Sequence, residues 1–465
     1  MQNNPFGSMI HGMPAMALAS LLAGDQKAAQ QAVNRPVRPA KRILQIVCPG
    51  AASHIDLWDY KPELFKRSGE EMEGLTGVKS FQGGNGKLMR PVFDFMPAGR
   101  SGKMISSKLV HMAKHVDDMA FIHSLTAKSS THGPAMLQIN TGFVIDGFPS
   151  MGSWLTMAMG SLTDNLPTYV AIPDVRGLPP NGPANWGAGF LPAAFQGTAF
   201  NADRPITNLG RASDDTPNDR KLRARLSAFD RHQGSELGGD TTITSRIKSY
   251  QLAAKMQLAA PEATDLRRES VQTHRLYGTD ASNPLEASYA RNALLSRRLL
   301  ERGVRFVQLY CGACASGVDG LLNWDGHKTL RADYERHIPI FDRPTAGLIS
   351  DLKGRGMLDD TLVLWTTEFG RMPTHQIGAT GRDHNPNGFT AWMLGAGVQA
   401  GTSYGATDSL GYKAEQDVSS IYDFHATVLR LCGLDHTKLT FYHNGARRRL
   451  TDVHGHVLSP VIKSV

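Results

Sequence analysis

Five short stretches of this chain place carboxylates or imidazoles beside apolar runs. Ser53-His54-Ile55-Asp56, with Asp59 just beyond, follows the run 41–48. Ser129-Ser130-Thr131-His132-Gly133 comes after the run 119–123. Asn323-Trp324-Asp325-Gly326-His327 comes after the run 304–310. Glu368 and Arg371 follow the run 361–365 at once, and Arg382-Asp383-His384 stands just before the run 390–394. Carboxylate plus imidazole is the donor set of zinc, manganese and similar divalent ions. Each residue alone has a plainer explanation. An Asp after a strand caps a helix, and a lone His fills a loop or the core. Their concentration at strand ends points to a metal or catalytic site, because ligands collect at the carboxyl ends of strands in open α/β sheets.

The elements that must position these residues are legible as apolar runs. The runs 41–48, 119–123, 168–172, 304–310, 361–365 and 390–394 are continuous rather than alternating. That is the pattern of strands covered on both faces, as in a parallel sheet. Helical patterns lie between them: 109–116, 289–302 closed by Gly303, 343–355 closed by Gly356, and 421–431 closed by Gly433. Strands alternating with helices predict an α/β fold. Residues 175–240 are rich in Gly, Pro, Asn and Asp, and 241–275 read as polar and helical. Together they predict an insertion at about 175–275 that caps one end of the sheet, within a domain spanning 41–465. Residues 1–40 read as an apolar, export-signal-like segment (Met13 to Gly24) and a linker. No Lys or Arg precedes that segment, the first being Lys27, whereas an export signal has a basic start.

Composition narrows the function. With 41% hydrophobic and 20% charged residues, the chain is that of a soluble globular protein. The net charge of +8 is scattered, and the clearest basic run is Arg447-Arg448-Arg449. Nucleic-acid binding requires a patch, so no such partner is expected. No stretch reaches the roughly 18 consecutive apolar residues of a membrane span. The four cysteines include Cys311-Gly-Ala-Cys314. A zinc ribbon needs a second such pair and a redox motif normally opens a helix, so a pair of loop thiols or a local disulfide is the expectation.

Several longer motifs carry a resemblance. CPGAASHIDLWDYKPEL, STHGPAMLQINTG with PSMGSWL after it, and NWDGH match one pattern. So do DRPTAGLISDLKGRGMLDDTLVLWTTEFGRMP, GRDHNPNGFTAWMLGAGVQAGTSYGATD, YDFHATVLRLCGL and LTDVHG. In the same order over roughly residues 40–465, they closely resemble the bacterial "domain of unknown function 1501" proteins of planctomycete type. That family looks like a branch of the alkaline phosphatase and sulfatase superfamily. The resemblance implies a large, mostly parallel sheet between helix layers, with one or two divalent metals held at strand ends beside a nucleophile.

Carried over residue by residue, it implies metal ligands at Asp56, Asp325, His327, Glu368 and His384, with zinc, manganese or calcium as the ion and no organic cofactor. Two departures stand out. Glu368-Phe369 occupies the place of an Asp-His pair, so one imidazole is missing. His132 falls at or next to the nucleophile position, with Thr131 just before it. His132 is then a nucleophile, a general acid or a metal ligand. Arg371 is either an anion clamp or a salt bridge that holds its loop. His54, Asp383 and His425 are further candidates, and His425, inside a helical pattern, is a candidate buttress. The expected function is metal-dependent hydrolysis of a sulfate or phosphate ester, on an anionic small molecule or polysaccharide. The alternative is a non-catalytic binding or structural protein on the same fold. Export is implied by the family alone.

Overall fold

A computed structural model of the chain describes residues 39–74, 84–203, 260–314 and 320–464, with residues 221, 225 and 228 between them. The export-like segment and most of the predicted insertion lie outside the described residues. All six apolar runs form strands of one sheet. They are β1 (Arg42–Val47), β2 (Met119–Thr126), β3 (Tyr169–Ile172), β5 (Phe306–Tyr310), β6 (Thr361–Thr366) and β7 (Phe389–Gly395). Short strands β4 (Thr198–Ala199), β8 (Thr402–Tyr404) and β9 (Ser419–Ser420) complete it. The order is β8-β2-β7-β6-β1-β5-β3-β4, with β9 also on β2. Every pairing is parallel except those of β7, which runs antiparallel to both β6 and β2.

The continuous apolar runs are explained by helices on both faces. Leu44 and Ile46 of β1, with Cys48 just beyond it, join a core with α3 (Pro284–Glu301) and α4 (Leu330–Gly354). Ile43 and Val47 face the other way, towards α1 (His132–Thr141), α2 (Met151–Met159) and α5 (Ile421–Leu431). The fold is therefore a three-layer α/β sandwich with a mostly parallel sheet, as expected. Two helical predictions change. The pattern at 109–116 forms a 3-10 turn, Met112–Asp118, whose entry is pinned by Asp342 accepting the backbone N–H groups of His111 and Met112. The helix read at 343–355 starts at Leu330, because Pro339 and Pro344 lie inside it and masked its first half.

One polar device fixes α1, which carries His132, against the sheet. Asn140 of α1 accepts from Gln308 of β5 at 2.8 Å and from Gln45 of β1 at 3.3 Å. Its amide donates to Asn185 Oδ1 at 3.0 Å. Gln45 also donates to Thr366 of β6, and Tyr169 of β3 donates to Gln308. This network links α1 to four strands at one register, so α1 cannot slide without breaking several buried bonds at once. On its outer side His425 donates to the carbonyl of Ile139, tying α1 to α5. Asn140→Ala strands the amide oxygen of Asn185 and weakens both glutamine contacts. It is expected to cost about 2 kcal/mol or more, read as a lower urea midpoint. A change within about 0.5 kcal/mol would show that the network does not hold α1.

Candidate metal centre

The parallel pairing sends the carboxyl ends of β1, β5, β6 and β2 to one edge of the sheet. Because β7 runs the other way, the residues that precede it arrive at the same edge. That topology explains why His384 comes before its strand while Asp325 and Glu368 come after theirs. A two-residue ladder pairs Gly370 with Asn385 and Arg371 with His384, which brings the two loops into contact. Gly50, just after β1, has φ +100, and a Cβ there would lie 2.6 Å from the backbone nitrogens of both Trp324 and Asp325. Only glycine lets the β1 loop press this closely on the Asp325 turn. That turn is fixed further by Trp324, whose indole donates to Cys311 O, and by Asn323 Oδ1, which accepts from Asp325 N.

Three imidazoles turn their Nε2 atoms towards the Asp325 carboxylate. His327 Nε2 is 2.9 Å from Oδ1, His384 Nε2 is 3.3 Å from Oδ1, and His132 Nε2 is 3.2 Å from Oδ2. His327 and His384 bring their Nε2 atoms to 2.9 Å of each other. Ligands of a tetrahedral zinc with bonds near 2.0–2.1 Å sit about 3.3 Å apart. Each imidazole is also held at its other nitrogen by an acceptor: Glu368 Oε1 at 2.7 Å for His132, Gln376 Oε1 at 2.7 Å for His327, and the Ser130 carbonyl at 2.6 Å for His384. That is the arrangement of metal-ligating histidines, whose outer partner fixes the tautomer and ring orientation. His132 Nε2 is buried and makes no aligned hydrogen bond despite its closeness to Asp325, as expected of an atom shaped for a different partner. Asp325, Glu368 and Asp383 gather here against the single Arg371 guanidinium, a surplus of acidic groups that suits a cation. The donor set thus fits a divalent metal, and His132, Asp325 and His384 are one of two compact candidate groups among the described residues; His327, Asp383 and His384 are the other.

The electrostatics follow from this crowding. Burial works against a charge on His132, but its pairing with Asp325 and Glu368 prevails and raises its pKa to about 9. Burial drives His384 down to about 3, helped by the positive charges of Arg371 and His132 against its hydrogen bond to Asp325. Burial alone would raise the Asp325 carboxyl, yet Arg371 and the three imidazoles hold it well below its ordinary value. His132 and Asp325 are 21% and 15% exposed, while Glu368 and Arg371 are fully buried. The cluster therefore opens to solvent on its His132–Asp325 side.

The other predicted site residues sit elsewhere or act differently. Asp56 is brought to Arg382 instead of the cluster. Arg382 donates to both its oxygens, at 2.8 and 3.3 Å, and Ser53 and Val92 N also donate to it. Arg371 is not placed as an anion clamp. It donates to Ala51 O, Gly50 O, Arg382 O and Asp325 Oδ1 and lies 3.3 Å from His327 Nε2, so it ties loops together and orients Asp325. Glu368 reaches the cluster through His132 and also accepts from Gly50 N at 2.7 Å. Asp383 accepts from His384 N and lies 3.9 Å from His327 Nδ1. His54 is buried against Gly411 O, away from the cluster. Thr131 caps α1 by position, without a side-chain cap bond. Cys311 is buried and Cys314 exposed, and neither is in a disulfide. Gln376 and Ser130 were missed. A glutamine and a backbone carbonyl carry no signal in one sequence.

An α/β sandwich with this donor set at its strand ends defines the class. The chain belongs to the family described as "Protein of unknown function (DUF1501)", whose model matches residues 40–462. No curated protein matches. Among solved structures, a phosphonate monoester hydrolase from Silicibacter pomeroyi is similar at 11% identity and TM-score 0.35, covering 85% of this chain and 73% of that one. A sulfatase from Pseudoalteromonas sp. is similar at 12% identity and TM-score 0.33, covering 90% and 71%. A mutant of TAB5 alkaline phosphatase is similar at 9% identity and TM-score 0.36, covering 86% and 99%. These are distant likenesses. No helix among the described residues is long and apolar enough to cross a membrane.

Two outcomes are expected from this geometry. A His pKa raised to about 9 from roughly 6.5 adds stability that is complete below pH 6.5 and lost as pH climbs through 9. The metal-free protein should lose Tm across that window, and His132→Gln should flatten the slope. Equal slopes in the two proteins would contradict the pairing. Gly50→Ala forces a side chain into the Trp324–Asp325 backbone and should cost about 2 kcal/mol or more, with weaker metal retention. An unchanged thermal midpoint would show that the loop is not pressed there.

Proposed function

We propose that this chain is a metal-dependent hydrolase of the sulfatase and phosphatase type, acting on a sulfate or phosphate ester. The observation that carries the reading is the convergence of three imidazole Nε2 atoms on the Asp325 carboxylate. His132, His327, His384 and Asp325 would hold the ion, with Glu368, Gln376 and the Ser130 carbonyl as orienting partners. Glu368 and Asp56, expected as ligands from the family resemblance, are left outside this set. Three nitrogens and a carboxylate favour zinc or manganese, whereas calcium takes six to eight oxygens. When bound, the ion supplies Lewis acidity and lowers the pKa of a coordinated water.

The chain's own residues do the rest. Arg371 holds Asp325 and the Gly50–Ala51 turn in place. Glu368 keeps a proton on His132 Nδ1 and so aims Nε2 at Asp325. With its proton on Nδ1 and its Nε2 lone pair given to the ion, His132 would have no free lone pair for a covalent intermediate, so water is the attacking group in this reading. The substrate is an anionic small molecule or polysaccharide ester. Export belongs to the proposal through the family resemblance.

A second reading, a binding or structural protein, is favoured by one feature: Arg371 is fully buried and its donors are spent, so it cannot meet a substrate anion.

Metal analysis of the purified protein tests the site. His327→Ala and His384→Ala should lose the bound ion. Glu368→Gln should keep it with about 10–100-fold weaker affinity, and Asp56→Asn should keep it but lower the Tm. Unchanged metal content in His384→Ala would sink the site. Turnover on a panel of aryl sulfates and phosphate mono- and diesters, with zinc or manganese added, is the expected activity. A fully loaded protein with no turnover on the panel would favour the second reading.

A further inference from the structure

A second titratable cluster, with no residue in the metal centre, lies where β8 pairs with β2 at the sheet edge. Lys103 reaches it from a small hairpin, Phe95–Ala98 with Lys103–Ser106. Its Nζ lies 2.6 Å from His123 Nε2 of β2 and donates to Ser403 Oγ of β8 at 2.9 Å. It also sits 4.5 Å from the centre of the Phe121 ring. All three neighbours are uncharged: a hydroxyl, an aromatic face, and an imidazole that burial and the Lys103 charge hold at a pKa of about 3. The His123 proton therefore sits on Nδ1, which faces Thr390 Oγ1 at 2.9 Å, and Nε2 accepts from Lys103. His54, the next imidazole to act on His123, is also held low by burial. Among the described residues no carboxylate pairs directly with the Lys103 ammonium. Asp59 acts on it from further off and is taken by Lys61 at 3.1 Å and by the Thr407 hydroxyl. Burial lowers the Lys103 pKa, Asp59 raises it in part and Lys61 lowers it again, to about 8. Near that pH about half of Lys103 is free amine, against under about 1% for an ordinary lysine. Lys103 is half-buried and Ser403 is exposed, so the amine lies one hydrogen bond from the surface.

We propose that Lys103 is a covalent modification site for dissolved carbon dioxide, which it takes up as a carbamate. The amine lone pair adds to the carbon of CO2. One N–C bond forms, one C=O π bond opens to an oxyanion, and the nitrogen gives one proton to water. The product is R–NH–COO⁻, with nothing oxidised or reduced. A small, uncharged reagent suits a half-buried amine. The same cradle can answer the anion. The Ser403 hydroxyl can donate where it accepted. His123 can carry its proton on Nε2, with the Thr390 hydroxyl donating to Nδ1, and Lys61 supplies positive charge nearby. The modification needs no metal.

The test incubates the full-length protein with isotopically labelled bicarbonate at about pH 8, traps carbamates by ethylation with triethyloxonium, and maps the peptides. The α-amino group, with an ordinary pKa near 8, is the internal positive control. Lys66, exposed and paired with Glu63, is the negative one. The expected result is label at Lys103 at least about tenfold above that at Lys66, as the larger free-amine fraction requires. With the α-amino group labelled, no label at Lys103, or a level nearer to that of Lys66, would overturn the inference. Because the unaltered chain decides it, no variant has to fold.

Discussion

The arrangement depends on one largely buried carboxylate. Asp325 is contacted by three imidazoles and by the Arg371 guanidinium at 2.5 Å. A buried anion of this kind persists only with its charge and lone pairs answered. Arg371 answers part of it and is itself held by three backbone carbonyls. His132, protonated below about pH 9, answers more of it, and each imidazole is oriented from behind by its own acceptor. Removing any one partner leaves a charge or a polar atom stranded, so the loops after β1, β5 and β6 and the loop before β7 are mutually dependent.

The same constraint accounts for the departures from the expected pattern. Glu368 was expected as a ligand, yet it is fully buried and backs His132. His132 stands at the first turn of α1, where a nucleophile was expected, and its ring spans Glu368 and Asp325. The third nitrogen of the cluster comes from His132 at the start of α1. Phe369, just after Glu368, stacks on the His132 ring at 5.1 Å between centroids.

Much of the fold was legible because burial on both faces writes itself as continuous apolar runs. All six runs became strands, and glycines marked the ends of α3 and α5 well. The first half of α4 was hidden because its two prolines read as breaks in a helix. Of the proposed cluster, Asp325, His327, His384 and His132 stood out by their placement beside apolar runs. Asp56 was placed among the ligands, and Arg371 was left open between an anion clamp and a loop-holding salt bridge, because an Asp or Arg at a strand end looks the same whether it faces a ligand or a buried partner. Arg382, the partner of Asp56, is 326 positions away, and nothing local announces the pair. Gln376 and Ser130 act through an amide and a carbonyl that any sequence supplies in abundance.

The most direct measurement is X-ray absorption at the metal edge of the zinc-loaded protein, which counts imidazole rings bound to the ion. Three imidazoles and one carboxylate oxygen, at about 2.0–2.2 Å, are the result this account predicts, with one imidazole lost in His132→Gln. A shell with two imidazoles, unchanged in His132→Gln, would contradict it.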